Sequence, residues 1–258
     1  MAEPQVRFHD GAAYERMMGA WSRIAGEVFL DWLQPARGLT WADIGCGNGA
    51  FTQLVVERCA PAHVFAIDPS PGQLAYARTR LAGAPVELAS GDAMALPYPD
   101  NSVDVATMAL VLFFVPDTRK GLAEMIRITR PGGLVAAYLW DLAGGGFPAD
   151  AVWAEFREAG HQVPHPPSAA ISNMDALTAL WDDGLDAVES KVIEVERSFA
   201  GFDDYWDSCL NSSSIAAAVK GLSPAQVAQV KERVRQRLHE NGGRYTARAN
   251  AVKGIVRA

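Results

Sequence analysis

The stretch Trp41-Ala42-Asp43-Ile44-Gly45-Cys46-Gly47-Asn48-Gly49-Ala50 constrains the fold of this chain more than any other. An apolar run ends in glycines at alternate positions, and a helical pattern follows at once. Glycine is needed where the backbone enters conformations closed to other residues, or where a ligand must approach the main chain. A strand–glycine–helix unit of this kind belongs to a parallel α/β sheet and presents the helix N-terminus to a ligand. The sequence around it continues the alternation. Strands are expected at Leu39–Ile44, His63–Asp68, Val86–Ala89, Val103–Leu110 and Gly133–Trp140. Helices are expected between them at Ala50–Cys59, Pro71–Leu81 and Asp117–Thr129, with Ser70 as N-cap and Pro71 in the first turn of the second. Such alternation implies a mostly parallel sheet with helices on both faces. An amphipathic helix from Ala12 to Trp32 precedes it, its apolar positions recurring every three or four residues at Tyr14, Met17, Met18, Trp21, Ile24, Val28, Phe29 and Trp32.

The glycine spacing alone leaves two ligands open. Gly45, Gly47 and Ala50 also satisfy the dinucleotide fingerprint, so an NAD-dependent oxidoreductase stands as the alternative. Asp43 separates the two. An acid two residues before the first glycine suits a cationic group such as the ammonium of S-adenosylmethionine (SAM) and repels a pyrophosphate. Asp68 ends the next strand, about 20 residues past the glycines, where a carboxylate can accept hydrogen bonds from ribose hydroxyls. It can also serve as a helix-start residue, although Ser70 is the better cap.

These segments, in order, resemble the class I SAM-dependent methyltransferases. Asp43 to Gly49 is similar to their first motif and Asp68 to their ribose-binding acid. Gly91-Asp92-Ala93 resembles the motif whose aspartate reaches the adenine amino group. Leu96 to Asp104 is similar to the segment entering their fourth strand, and Arg130-Pro131-Gly132-Gly133 to the turn before their fifth. The resemblance covers Leu39 to Asp141 and points to the quinone-biosynthesis-like group, methyltransferase type 11. Two outer segments, Tyr14 to Arg23 and Phe202 to Trp206, resemble a subgroup of it. The implied fold is a Rossmann-like, seven-stranded, mostly parallel sheet flanked by helices, in strand order 3-2-1-4-5-7-6. Its last strand is antiparallel, a part that Tyr245–Ala251 can supply. The implied cofactor is SAM, leaving as S-adenosyl-L-homocysteine (SAH). The expected cofactor set is Asp43, Gly45, Cys46, Gly47, Asn48, Gly49, Asp68, Pro69, Gly91, Asp92, Ala93 and Leu110, with Tyr14 and Trp21 bordering it. For Trp21, helical periodicity favours core packing instead. One departure stands out. Many relatives carry a histidine in the loop after the fourth strand, where this chain has Leu112-Phe113-Phe114-Val115-Pro116. A non-catalytic SAM-binding protein therefore remains a second alternative. The phenylalanines can line an acceptor pocket or fill the core, and core or mixed packing is favoured.

The regularity ends after Asp141. Residues 1–141 read as the N-terminal helix and cofactor-binding core. Residues 142–243 read as a cap or insertion that includes a further strand and helices. Residues 244–258 read as the final strand returning to the sheet. Phe147, Trp153, Phe156, Trp181, Phe202, Tyr205 and Trp206 enrich the middle stretch, and some of them are expected to line a cavity over the carboxyl edge of the sheet. No nucleophile–base constellation stands out. Asp141 and His9 are the candidate catalytic residues, Asp141 as a base that can instead cap the next segment and His9 as a lid residue before the first helix. His161 and His165 have no metal-ligand spacing and read as loop residues. The formal net charge of −7 argues against nucleic acid and favours a small-molecule methyl acceptor. Cys46, Cys59 and Cys209 form no CxxC pair, and no run is long and apolar enough to span a bilayer. A cytoplasmic monomer or homodimer without a metal is the expectation.

Overall fold

A computed structural model describes residues 18–161, 165–182, 184–210, 213–238 and 242–257. His9, Tyr14 and the start of the expected first helix lie outside them. In chain order the elements are α1 (Ala20–Leu33), β1 (Thr40–Ile44), α2 (Ala50–Cys59), β2 (His63–Asp68), α3 (Pro71–Arg80), β3 (Val86–Ser90), β4 (Val103–Ala109), α4 (Thr118–Ile128) and β5 (Thr129–Trp140). The second half adds α5 (Asp150–Glu158), α6 (Met174–Asp182), β6 (Leu185–Ser198), α7 (Phe202–Leu210), α8 (Ser213–Val219), α9 (Pro224–Leu238) and β7 (Arg244–Val256).

The seven strands form one sheet in the order β3-β2-β1-β4-β5-β7-β6. The first five pair in parallel, and β7 runs antiparallel between β5 and β6. This is the order and orientation that the resemblance implied. The expected strands start and end within a few residues of the observed ones, except that β5 begins at Thr129, four residues early, and β7 runs to Val256, five residues past the expected end. Thr129 pairs with Val103 across a bulge before the regular register starts at Val105 and Leu134.

Central strands are apolar because both faces are covered. Trp41, Ala42 and Ile44 of β1, and Val135 to Trp140 of β5, are fully buried. α4 shows the converse pattern of a surface helix. Gly121, Leu122, Met125 and Ile128 face the sheet at helical spacing, and Asp117 caps the start by accepting from the Lys120 N–H at 3.0 Å. The two faces can be read at consecutive residues of β7. Lys253 holds its ammonium 4.7 Å from the Trp32 ring of α1, whereas Gly254 leaves room on the other face for Trp181 of α6.

The stretch 142–243 is divided among three places. β6 extends the sheet as an edge strand, burying Ile193 and Val195 while Glu194 and Glu196 face solvent. α6 covers the sheet, with the Trp181 indole donating to the Val135 carbonyl at 3.2 Å. α5 packs against α8 and α9, tied to α9 by buried Glu155, which accepts from Arg233 at 3.0 Å and Arg237 at 2.6 Å.

Candidate functional site

Parallel strands place their carboxyl ends on one edge of the sheet, and a crevice opens where the connections diverge to opposite faces. Here that switch lies between β1 and β4. A cavity of about 590 Å³ occupies it. Its described lining comes from the β1–α2 turn (Asp43, Gly45, Cys46, Gly47, Asn48, Ala50, Phe51) and the β2–α3 turn (Asp68, Pro69, Ser70, Pro71, Gly72, Gln73). The remainder is Ala109, Leu110, Val111, Phe114 and Pro116 after β4, with Ser22, Tyr138 and Pro167.

The glycine turn is built by hydrogen bonds to the neighbouring strand. The N–H groups of Gly45 and Cys46 both donate to the Ile67 carbonyl, at 2.7 and 3.0 Å. The Gly47 N–H donates to Asp68 Oδ2 at 2.9 Å. All three glycines have positive φ, but they differ in what surrounds them. A side chain at Gly45 would collide with both methyl groups of Val111, and one at Gly49 would press on Leu81. At Gly47 nothing lies within 4 Å of the Cβ position. Gly45 and Gly49 are therefore glycines for packing, whereas Gly47 borders open space that a ligand can enter.

Two carboxylates face this space. Asp43 is 1% exposed. Its Oδ2 accepts from the Thr52 hydroxyl at 2.5 Å, and its Oδ1 has no hydrogen-bond partner among the described residues. Burial, together with the nearby Asp68, outweighs the Thr52 bond and pushes its pKa up to about 7. Asp68 accepts from the Gly47 and Ser70 N–H groups, at 2.9 and 2.8 Å. Burial raises its pKa, against these two bonds. Ser70 is the N-cap of α3, accepting from the Gln73 N–H. Asp68 thus fixes the loop around the cap. Burial and the two acids push the Cys46 thiol far up, so it stays protonated. No lysine, arginine or histidine is among the described lining residues.

The structure brings Asp43, Gly45, Cys46, Gly47, Asn48, Asp68, Pro69 and Leu110 together at one cavity. Leu110 does so in a left-handed conformation (φ 62°), with its N–H on the Tyr138 carbonyl at 2.8 Å. Other expected members sit elsewhere. Gly49 is the N-cap of α2 and touches α3. Gly91, Asp92 and Ala93 follow β3 and are outside the described lining, because Gly91 packs on Ile67 and Asp92 turns back to accept from the Met94 N–H at 2.8 Å. Trp21 is 2% exposed in the core, 6.3 Å from the Phe199 ring, as its periodicity favours.

Asp141 is likewise tied up. Its Oδ2 accepts from Arg248 at 2.7 and 3.0 Å, and its Oδ1 from the Gly144 N–H at 2.8 Å. Those contacts give it a role in joining β5 to β7, and it is not among the described lining of the cavity. The aromatics of 142–243 are also spent on packing. Tyr205 stacks on Tyr245 at 3.9 Å, Phe147 stacks on Trp153 at 4.2 Å, and Trp181 is fully buried. Pro167 alone among the described residues of that stretch reaches the cavity, so the expected aromatic cap cavity is corrected. Of the two phenylalanines after β4, Phe114 lines the cavity and Phe113 joins the core.

The lining residues the sequence reading missed are Ser22, Ala50, Phe51, Ser70, Pro71, Gly72, Gln73, Ala109, Val111, Pro116, Tyr138 and Pro167. Those on the β2–α3 turn could have been found from their position at a strand's carboxyl end. Ser22, Phe51, Tyr138 and Pro167 carried no such signal.

The type 11 family described as a methyltransferase domain matches residues 42–137. A demethylmenaquinone methyltransferase from Desulfitobacterium hafniense (strain Y51) is 40% identical over 105 residues, which are 39% of this chain and 42% of that protein. The chain spans about half the length of the curated relatives it matches. Among solved structures, a protein from an antibiotic biosynthesis pathway of Anabaena variabilis superposes with a TM-score of 0.65 at 17% identity, covering 91% of this chain and 99% of that one. Haemonchus contortus phosphoethanolamine N-methyltransferase 2, solved with SAM, gives a TM-score of 0.59 at 16% identity over 95% of this chain and 56% of that one. Residues 42–137 therefore match the type 11 methyltransferase-domain model, and the seven-stranded sheet shares its fold with these solved structures.

Proposed function

We propose that the chain is a SAM-dependent methyltransferase acting on a small, apolar or aromatic acceptor. One observation carries the choice of cofactor. The cavity holds a buried carboxylate oxygen on Asp43 without a partner among the described residues, a second carboxylate on Asp68, and no basic side chain among its described lining. A buried acid without a partner either takes a proton or waits for a cation. The sulfonium and ammonium of SAM supply positive charge, whereas the pyrophosphate of NAD would bring negative charge against two acids.

SAM supplies a methyl group on a positively charged sulfur that is already a good leaving group. The residues of this chain then have three tasks. Asp43 faces positive charge, and Asp68 can accept from ribose hydroxyls while holding the glycine turn. Gly47 leaves the gap through which the cofactor approaches the main chain. The lining after β4, Leu110, Val111, Phe114 and Pro116 with Pro167, is apolar and excludes water from the partner of the reaction. Holding donor and acceptor in line lowers the barrier by several kcal/mol without further chemistry. An acceptor that needs no strong base, such as an electron-rich ring carbon or a phenolate, suits a cavity without a histidine. The three cysteines are unpaired and buried, which fits a reducing compartment.

Calorimetry with SAH and NAD in chelator tests the cofactor. Saturable SAH binding without NAD binding is the expected result, and preferential NAD binding would overturn it. Transfer of a labelled methyl from SAM into a low-molecular-weight fraction of cell extract tests the reaction. Binding without transfer to any acceptor would leave only the cofactor half standing.

A further inference from the structure

We infer that Thr52 is a positioning residue for binding of the cofactor's cationic group. By holding one oxygen of Asp43, it leaves the other as the single place where either a proton or that group can sit. The inference rests on the SAM reading above and deepens it.

Thr52 lies in the first turn of α2 and is fully buried. The buried residues of that helix are Thr52, Leu54, Val55 and Cys59. Thr52, Val55 and Cys59 follow one another at steps of three and four, the stripe a helix turns toward a sheet. An apolar side chain would fill the first place on this stripe without burying a polar group, so the hydroxyl needs a reason. Its partner supplies one. The Thr52 hydroxyl donates to Asp43 Oδ2 at 2.5 Å, closing the glycine turn from its far side. Asp43 lines the cavity, and its Oδ1 has no hydrogen-bond partner among the described residues.

A hydroxyl that donates to a carboxylate favours the charged form. Around Asp43 the other influences run the opposite way. Burial and Asp68 at the end of β2 both favour the neutral acid. Cys46 on the turn stays protonated, and Tyr138 of β5 and Ser22 of α1 bring only hydroxyls to the same cavity. Among the described residues, Thr52 is therefore the group that keeps Asp43 ready to ionise. It also decides where a proton goes. With Oδ2 engaged, a proton on Asp43 sits on Oδ1 and turns that atom from acceptor into donor. A donor there excludes an ammonium, so proton and cation compete for one atom.

The test is calorimetry with SAH from pH 6 to 8.5 on wild type, Thr52→Val and Thr52→Ser. Wild-type affinity is expected to level off above pH 7. Losing a hydrogen bond to a charged group should move this levelling up by about one pH unit in Thr52→Val. The variant then binds about tenfold weaker than wild type at pH 6 and within about twofold of it at pH 8.5. At pH 7.5, buffers of different ionisation heat should show more proton release on binding in Thr52→Val than in wild type. Thr52→Ser keeps the hydroxyl and should restore the wild-type profile. Thr52→Ala lacks it and should follow Thr52→Val, a second reading if valine disturbs the fold in thermal melts. A loss by the same factor at every pH would make Thr52 a packing residue. That result, an unchanged profile in the variants, or a flat wild-type profile would each overturn the inference and leave the cofactor reading standing. Wild-type protein that does not bind SAH would remove the cofactor reading itself.

Discussion

Asp43 and Asp141 are both buried aspartates at the carboxyl edge of the same sheet, and their surroundings differ in kind. Asp141 is fully partnered, by Arg248 of β7 and by the Gly144 N–H. Asp43 has one oxygen on Thr52 and one without a partner among the described residues, with its pKa raised to about 7. A fold-stabilising acid has its charge met inside the chain. An acid whose charge is unmet is costly to the empty protein, and the cost is understandable where a cation is to be bound. On the proposed function the β1–β2 side of the edge serves a ligand, while Asp141 and Arg248 on the β5–β7 side hold the sheet together.

The sharpest way to break this contrast is at the glycines of the first turn. Gly47→Val places a side chain in open space, where the cofactor is expected. Binding of SAH should vanish, with no saturation at about 100 times the wild-type Kd, a loss beyond about 2.7 kcal/mol. The positive φ of 53° should cost only about 1–2 kcal/mol of stability. Gly45→Ala should show the reverse order of effects, because its side chain would meet Val111. Its loss should appear first in the thermal melt. Equal binding losses with equal stability losses in the two variants would show that the turn is merely structural throughout.

The next effect separates the two aspartates. Asp43→Asn keeps the shape and the Thr52 partner but removes the charge. At pH 8.5 it should weaken SAM binding by about 3 kcal/mol, roughly a hundredfold. Arg248→Met strands Asp141 without its partner. It should lower stability by about 2 kcal/mol, less than for a wholly buried pair because Arg248 is 40% exposed. SAH affinity should stay within about twofold. If Arg248→Met abolished binding, the division of labour along the edge would be wrong. Asp68→Ala should fall between, weakening SAM binding by about 1.5–3 kcal/mol as hydrogen bonds to a charged group are lost. It should also loosen the turn, since Gly47 loses its acceptor.

The first half of the chain was legible because local signals and tertiary roles coincide there. A strand's apolar run, the glycines and the capping Ser70 each specify their own neighbourhood, so β1 to β5 and the lining around Asp43 and Asp68 emerged together. β6 was legible in principle, through the alternation Ile193-Glu194-Val195-Glu196, but only its presence somewhere in 142–243 was expected. Wealth in aromatics misled for a physical reason. Tyr205 stacks on Tyr245 of β7, Trp153 on Phe147 and Trp206 on Phe202, and composition cannot tell that use from lining a cavity. Asp141 misled similarly, because its partner Arg248 lies 107 residues away in sequence. Gln73 carried no signal either, because nothing local marks a cavity-lining amide whose side-chain oxygen has no partner among the described residues.

The most gradual effect, and the most diagnostic, is the pH dependence of Asp43, whose influence on binding is about 1.4 kcal/mol per pH unit. Its pKa in the folded, empty protein is about 7, against about 3.8 for the free side chain. Between those values the native state holds a proton that the unfolded chain has released. Stability linked to this group is therefore full below pH 4, declines as pH rises toward 7, and is flat above, amounting to at most about 4 kcal/mol. Asp68 is shifted in the same direction and adds to the decline rather than offsetting it. Ligand binding should run the other way. A cation in the cavity favours the charged carboxylate and lowers its pKa, so binding below pH 7 must expel the proton. Affinity for SAM should fall about tenfold per unit as pH drops below 7, about 1.4 kcal/mol each, and level off above it. Calorimetry in buffers of different ionisation heat at pH 6 should register the released proton, and Asp43→Asn should abolish both the release and the slope. A wild-type affinity that is constant from pH 6 to 8.5 would mean that Asp43 keeps its protonation state on binding, and that the unmet oxygen is not what the cofactor's charge is held by.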